Sequence, residues 1–253
     1  RGLGDVYKRQ VAERLWQKIV AFAAYGFPES HSQSFASLVY FSAWFKCHYP
    51  AQFCVGLLRA QPMGFYSPQS LVQDARRHGV EVLPVSVNAS GREARCIDSS
   101  TIRMGLGLVR GLGADAADRI EAAAPFTDIA DLSRRADLSV DHVEALARAG
   151  ALDCFEVSRR QALWQAGIAA TERHGMLPGL SAISAPALPG MNSFELMVAD
   201  IAATGVTPGL MPVEMVRESL EERGVIPVAQ LLHGVEDGLS LIHISEPTRR
   251  YAI

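Results

Sequence analysis

The sequence predicts a mainly α-helical chain with one short β element, and three observations carry that expectation. Apolar residues recur at helical spacing from Val11 to Arg77. A β-branched run from Val80 to Val87 interrupts them. A Gly-Leu-Gly turn at Gly111–Gly113 then opens a second helical stretch that extends to about Ala170.

Val11 to Ala24 places Leu15, Ile19 and Phe22 on one helical face, and Gly26 with Pro28 ends the pattern. The next helix is expected to start at a serine cap, Ser30 or Ser32, and to reach about His48. Its apolar residues (Phe35, Leu38, Val39, Phe41, Trp44, Phe45) run almost all the way round, which predicts burial on most sides. Pro50 suits the first position of a third helix through Leu58. Ser67-Pro68 repeats that start, and Arg76-Arg77-His78-Gly79 closes the fourth helix with cations for its dipole and a glycine for a left-handed cap. Val80–Val87 reads as a strand and Arg95–Met104 as a second one. Pro178 to Pro189 is a linker rich in Pro, Gly, Ser and Ala. Helices at roughly Phe194–Ala202 and Pro212–Arg223 follow.

The 253 residues are 49% hydrophobic and 20% charged, enough for one large or two small globular domains. A formal net charge of -3 excludes a uniformly basic surface, so any nucleic-acid contact must use local patches or backbone donors. Cys47, Cys54, Cys96 and Cys154 stand far apart with no CxxC pair. Neither a zinc site nor a disulfide framework is indicated, which fits a reducing cytosol. The longest apolar run, around Phe35 to Phe45, is too short and too interrupted to span a bilayer, and no secretory leader is visible. RGLGDVYKRQ at the start and LSLIHISEPTRRYAI at the finish resemble translated adaptor sequence, so residues 1–10 and 239–253 are set aside from the fold. The chain reads as an internal piece of a longer protein.

The most readable chemical motif is VRGLGADAADRI, from Val109 to Ile120, which has helix-hairpin-helix form. Glycines 111 and 113 reach backbone angles barred to other residues and let amides at the following helix N-terminus approach a phosphate. Arg110 is positioned to add a charge-assisted contact. Such binding reads the backbone and not the bases. The alternative is a tight turn between packed helices, and Asp115 and Asp118 favour it by placing negative charge nearby. DLSRRADLSVDHVEALARAGALDCF supplies further helices for a paired arrangement.

Other candidates weigh less. Arg76-Arg77-His78 is the pattern of a solvated helix end, and Trp44 and Phe45 read as core before base-stacking platform. Glu29-Ser30-His31 holds acid, nucleophile and base types, but triads are assembled from separate segments. No paired carboxylates for two-metal chemistry stand out.

GFPESHSQSFASLVYFSAWFKCHYPAQFCVGLLRAQPMGFYSPQSLVQDARRHGVEVLPVSVNAS, followed by IRMGLGLVRGLG and ALARAGALDCF, resembles the bacterial C-family DNA polymerases, relatives of the replicative polymerase III α subunit. GFPESH, QPMGFYSPQSLVQDARRHGVEV and MNSFELMVADIAATGVTPGLMPVEMVR are similar to the error-prone branch. The replicative branch usually has Asn-Lys where this chain has Pro28-Glu29. The resemblance covers about Val11 to Gly238. It implies the end of the polymerase fingers at 11–104, a helix-hairpin-helix DNA-binding region at 105–177, and a linker with helices at 178–238 leading to an OB-fold that is cut off. It implies that Ser30 and His31 lie near the incoming triphosphate and that Arg110, Gly111 and Gly113 hold duplex DNA. The aspartates for two Mg2+ ions belong to a palm outside this chain, which leaves no catalytic or metal residue here. The implied activity is error-prone, translesion synthesis from dNTPs, in the cytoplasm. Implied partners are duplex DNA, dNTP, a sliding clamp and damage-response proteins. A replicative polymerase III fragment and a non-catalytic helix-hairpin-helix module are the alternatives. The fingers pack on absent domains, so the resemblance also implies exposed apolar surface around the Phe35 helix.

Overall fold

The computed structural model describes residues 3–24, 29–169 and 185–226. Four helices open it: α1 (Leu3–Ala24), α2 (Glu29–His48), α3 (Pro50–Arg59) and α4 (Pro68–Arg77). α1 begins ahead of the expected Val11, and no proline stands between Leu3 and Gln10 to break it. The turn at Gly26 and Pro28 lies outside the described residues.

α2 departs from expectation in two ways. It starts at Glu29, so Ser30 and Ser32 fall inside its first turn and not ahead of it. Its expected burial is not met either, since Phe35 is 49% exposed, Tyr40 68% and Phe41 56%. The reason is that the described core starts only at Ala51, and α2 packs chiefly on α3. The all-round apolar pattern gives the helix no polar face of its own, but it does not supply a neighbour.

From α3 onward local rules and burial agree. Ala51, Cys54, Val55 and Leu58 form a buried stripe at helical spacing. The Ser70 amide donates to Ser67 Oγ at 3.2 Å, capping α4 ahead of Pro68, and Gly79 closes it with φ +80°. Three strands follow: β1 (Glu81–Leu83), β2 (Arg95–Cys96) and β3 (Thr101–Arg103). β3 lies in the middle, parallel to β1 with Val82 opposite Ile102, and antiparallel to β2 with Cys96 opposite Ile102. The first strand stops at Leu83 because Pro84 has no amide to donate. The second expected strand divides in two, since Asp98 Oδ1 accepts from the Ser100 amide at 2.8 Å and from its hydroxyl at 3.1 Å, turning the chain. Ile102 is fully buried at the centre.

A 3-10 turn at Leu106–Leu108 leads into α5 (Ala114–Ala123), α6 (Ile129–Arg135), α7 (Val140–Arg148) and α8 (Arg159–Ala169). The last described elements are α9 (Ser193–Thr204), α10 (Pro212–Met215) and α11 (Arg217–Glu222). The helix expected over Pro212–Arg223 is thus two short ones, broken at Val216. Of the expected linker, residues 185–189 form no helix or strand and the rest lie outside the described residues. One hydrophobic cluster runs without interruption from Ala51 through the sheet and α5–α8 to Val206. That shared core holds the glycine turn in a fixed frame.

Candidate nucleic-acid interface

The turn at Gly111–Gly113 is built from the inside out. Leu106, Val109 and Leu112 are 0%, 3% and 1% exposed, so the apolar residue of each local step points into the core. The glycines between them face outward. Gly111 has φ +86°, and Gly113, the N-cap of α5, has φ +75° with ψ 161°, a region only glycine occupies readily. A Cβ on Gly113 would meet nothing within 4 Å, so backbone angle, not crowding, demands glycine there. The Ala117 amide donates to Gly113 O at 3.2 Å and begins the helical ladder. The amides of Ala114, Asp115 and Ala116 precede that ladder, and Gly113 brings no side chain to cap them. Three uncapped amides at the positive end of a helix dipole suit a phosphate oxygen.

Charge around this turn is mixed. Asp115 lies exposed in the first turn of α5. Asp118 is paired, its Oδ2 3.0 Å from Arg92 Nη1, so one of the two opposing carboxylates is partly neutralised. Arg110 is not aimed at solvent alone. Its backbone amide donates to Ala203 O at 2.9 Å and its Nη1 to Ala202 O at 2.7 Å, both carbonyls in the last turn of α9.

A second glycine turn joins α7 to α8 and completes the paired arrangement. Here the environment is different. Gly150 is buried, and a Cβ on it would fall 2.6 Å from Arg159 Nη2. Arg159 Nη2 in turn lies 2.6 Å from Asp200 Oδ1 on α9, with both side chains nearly buried. Thr207 Oγ1 donates to Asp200 Oδ2 at 3.1 Å. The first hairpin presents its backbone to solvent, whereas the second is covered by its own arginine and by α9.

The remaining candidates find structural partners. Arg76 Nη1 donates to Gly209 O at 2.7 Å, and His78 Nδ1 lies 2.7 Å from Asp74 O. Trp44, expected in the core, is 40% exposed and sits among Phe45, His48 and Tyr49, with centroids 5.3, 4.8 and 5.6 Å away. Ser30 occupies the first turn of α2, and His31 is exposed with its ring edge-on to Phe35 at 4.4 Å. Ser30 and His31 belong to a different element from the α5 hairpin, with α3, α4 and the sheet between them in sequence. The four cysteines are free, and burial pushes the Cys54 thiol up to about 11, with Asp74 and Cys96 adding to it. Among the described residues no three His, Cys, Asp or Glu side chains converge on a possible metal position. No described helix is long and apolar enough to cross a membrane.

Sequence reasoning missed the part played by α9. Its capping box, with the Asn192 amide donating to Glu195 Oε2 at 2.9 Å and the Glu195 amide to Asn192 Oδ1 at 2.9 Å, was legible as a helix start. Its pairing with Arg110 and Arg159, far away in sequence, was not.

With this geometry in place, the comparisons give first a class. The helix-hairpin-helix motif matches residues 79–162, from the sheet to the first turn of α8. They then give particular relatives. The chain is 70% identical over 232 residues to a protein named Error-prone DNA polymerase from Corynebacterium glutamicum, covering 92% of this chain and 22% of that protein. A protein of the same name from Corynebacterium efficiens is 67% identical over 240 residues, covering 94% and 22%. One from Mycobacterium tuberculosis strain H37Rv is 54% identical over 247 residues, covering 95% and 22%. The chain therefore spans about a fifth of the length of the curated relatives it matches.

Proposed function

We propose that this chain is the end of the fingers and the duplex-holding region of an error-prone DNA polymerase that copies damaged template. The observation that carries the reading is similarity of 54–70% to proteins of that name over nine-tenths of the chain. The open glycine hairpin supports it on physical grounds. In this reading the amides of Ala114, Asp115 and Ala116 take a phosphate of duplex DNA, and Gly111 and Gly113 let the strand approach. Contact is with the backbone, so it is independent of sequence and falls with added salt.

Ser30 and His31, at the start of α2, are the groups nearest the incoming nucleotide. A hydroxyl and an imidazole N–H at a helix N-terminus are suitable donors to triphosphate oxygens. Nucleotidyl transfer in such polymerases uses divalent metal. Two magnesium ions would be held by the palm of the longer protein, so this chain positions substrates and performs no bond-breaking step. Partners of the whole enzyme are duplex DNA, dNTP, a sliding clamp and damage-response proteins, in the cytoplasm.

A chimera tests the proposal. The matched fifth of the Corynebacterium glutamicum protein is replaced by this chain, and primer extension is measured on undamaged and abasic templates. Template-directed extension that crosses the lesion is expected. A folded chimera that fails to extend any primer would reject the reading.

A further inference from the structure

We propose that α9 is a brace for the DNA-facing hairpin, and that Arg110 is the positioning residue that joins them and not a phosphate ligand. The affinity arm of this inference rests on the proposed duplex binding; the brace itself does not.

Arg110 spends two donors on adjacent carbonyls, its amide on Ala203 O at 2.9 Å and its Nη1 on Ala202 O at 2.7 Å. Carbonyls in the last turn of a helix have no intrahelical partner and carry the negative end of the dipole, so a guanidinium is well matched to them. Gly205 follows as the left-handed cap of α9, and a Cβ there would come 3.2 Å from Arg110 Nη2. The guanidinium therefore lies against the end of α9. Turning it toward a phosphate would break the bond to Ala202 O and leave that carbonyl without this donor.

α9 is fixed independently of the hairpin. Asp200 holds Arg159 at 2.6 Å and accepts from Thr207, and Glu195 Oε1 lies 2.9 Å from Arg160 Nη2. The Thr207 amide donates to Gln69 Oε1 at 2.7 Å, which ties the segment after α9 to α4. Ala203 and Val206 are buried in the common core. A helix anchored on α4 and α8 thus presents its C-terminal carbonyls to the residue preceding Gly111. This sets the direction in which the α5 amides point. α9 lies outside residues 79–162, the span of the matched motif, so the motif alone does not contain its own support.

The test uses the full 253-residue chain with Arg110→Ala and Arg110→Lys. Amide hydrogen exchange is read residue by residue, and duplex affinity is read across a salt series. In Arg110→Ala, exchange at the amides of position 110 and Leu112, bonded to Ala203 O and Val109 O, is expected to rise about tenfold or more while β3 amides keep their protection, the signature of local and not global opening. Duplex affinity is expected to fall several-fold with the slope of log K against log salt unchanged. Arg110→Lys is expected to restore part of both, since an ammonium still donates to the Ala202 carbonyl. A slope shallower by about one charge would make Arg110 a phosphate ligand and overturn the proposal. Unchanged exchange at position 110 and Leu112 would overturn it as well. Absence of duplex binding by the unaltered chain would defeat the proposed function, and the exchange measurement would still decide the brace.

Discussion

Gly113 concentrates the hairpin's chemistry in one backbone conformation. At φ +75° and ψ 161° any side chain is strained, although nothing crowds the position. Gly113→Ala is expected to lower stability by about 1–3 kcal/mol and to weaken duplex binding by more than that loss explains; a urea midpoint read alongside a binding titration separates the two. His31 is the residue-scale test of the fingers. In the chimera described above, His31→Ala is expected to raise KM for dNTP several-fold with a smaller change in kcat. Equal losses in kcat and kcat/KM, with KM unchanged, would argue against a contact made in the ground state. The spacing of two glycines by one apolar residue made Gly113 visible in the sequence, whereas His31 was singled out only by the resemblance to the polymerases. The sequence did not reveal Arg110's partners, because a side chain's choice between a phosphate and a carbonyl 92 positions away depends on packing and not on spacing.

At the scale of elements, the helix starts at proline were legible. The Ser67 cap and the Pro50 and Pro68 first positions fall where local hydrogen bonding and fixed proline φ place them, whereas the starts of α1 and α2 and the break at Val216 were not read. The sheet was less so, since strands of two and three residues give too few alternations to mark their ends. α6 supplies an electrostatic prediction. Burial pushes the Asp131 carboxyl up, but the Thr127 amide and Arg135 hydrogen-bond to it and Arg134 adds its charge, and together they hold it below its ordinary value. A carboxyl lowered by folding contributes stability that is present above the ordinary aspartate value of 3.8 and is lost as pH falls through the folded value. Asp131→Asn is therefore expected to cost about 1–3 kcal/mol at pH 7 and to show a weaker loss on acidification than the parent. Urea midpoints at pH 7 and pH 3 check it, and parallel acid profiles would reject it.

The whole molecule divides into a packed part and an unpacked one. The core from Ala51 to Val206 explains α3 through α9, while Phe35, Phe41 and Phe45 on α2 stay about half exposed or more. Phe41→Ser is accordingly expected to change stability by less than about 0.5 kcal/mol, whereas Ile102→Ala at the sheet centre should cost about 2–5 kcal/mol. Similar losses from both would mean that α2 is buried in solution. In the proposed polymerase the α2 face packs on the remainder of the longer chain, which is why an all-round apolar helix read as core in the sequence and stands open here.

The proposed function is a grip on duplex DNA through the backbone of an open glycine hairpin. Its most direct test is equilibrium binding of the full chain, and of a Gly111→Ala/Gly113→Ala variant, to duplexes of unrelated sequence over a range of salt. The expected result is equal affinity for every sequence, a linear fall of log K with log salt, and a loss of tenfold or more in a variant that remains folded. Undiminished binding by the folded variant, or affinity that varies with base sequence, would contradict the account.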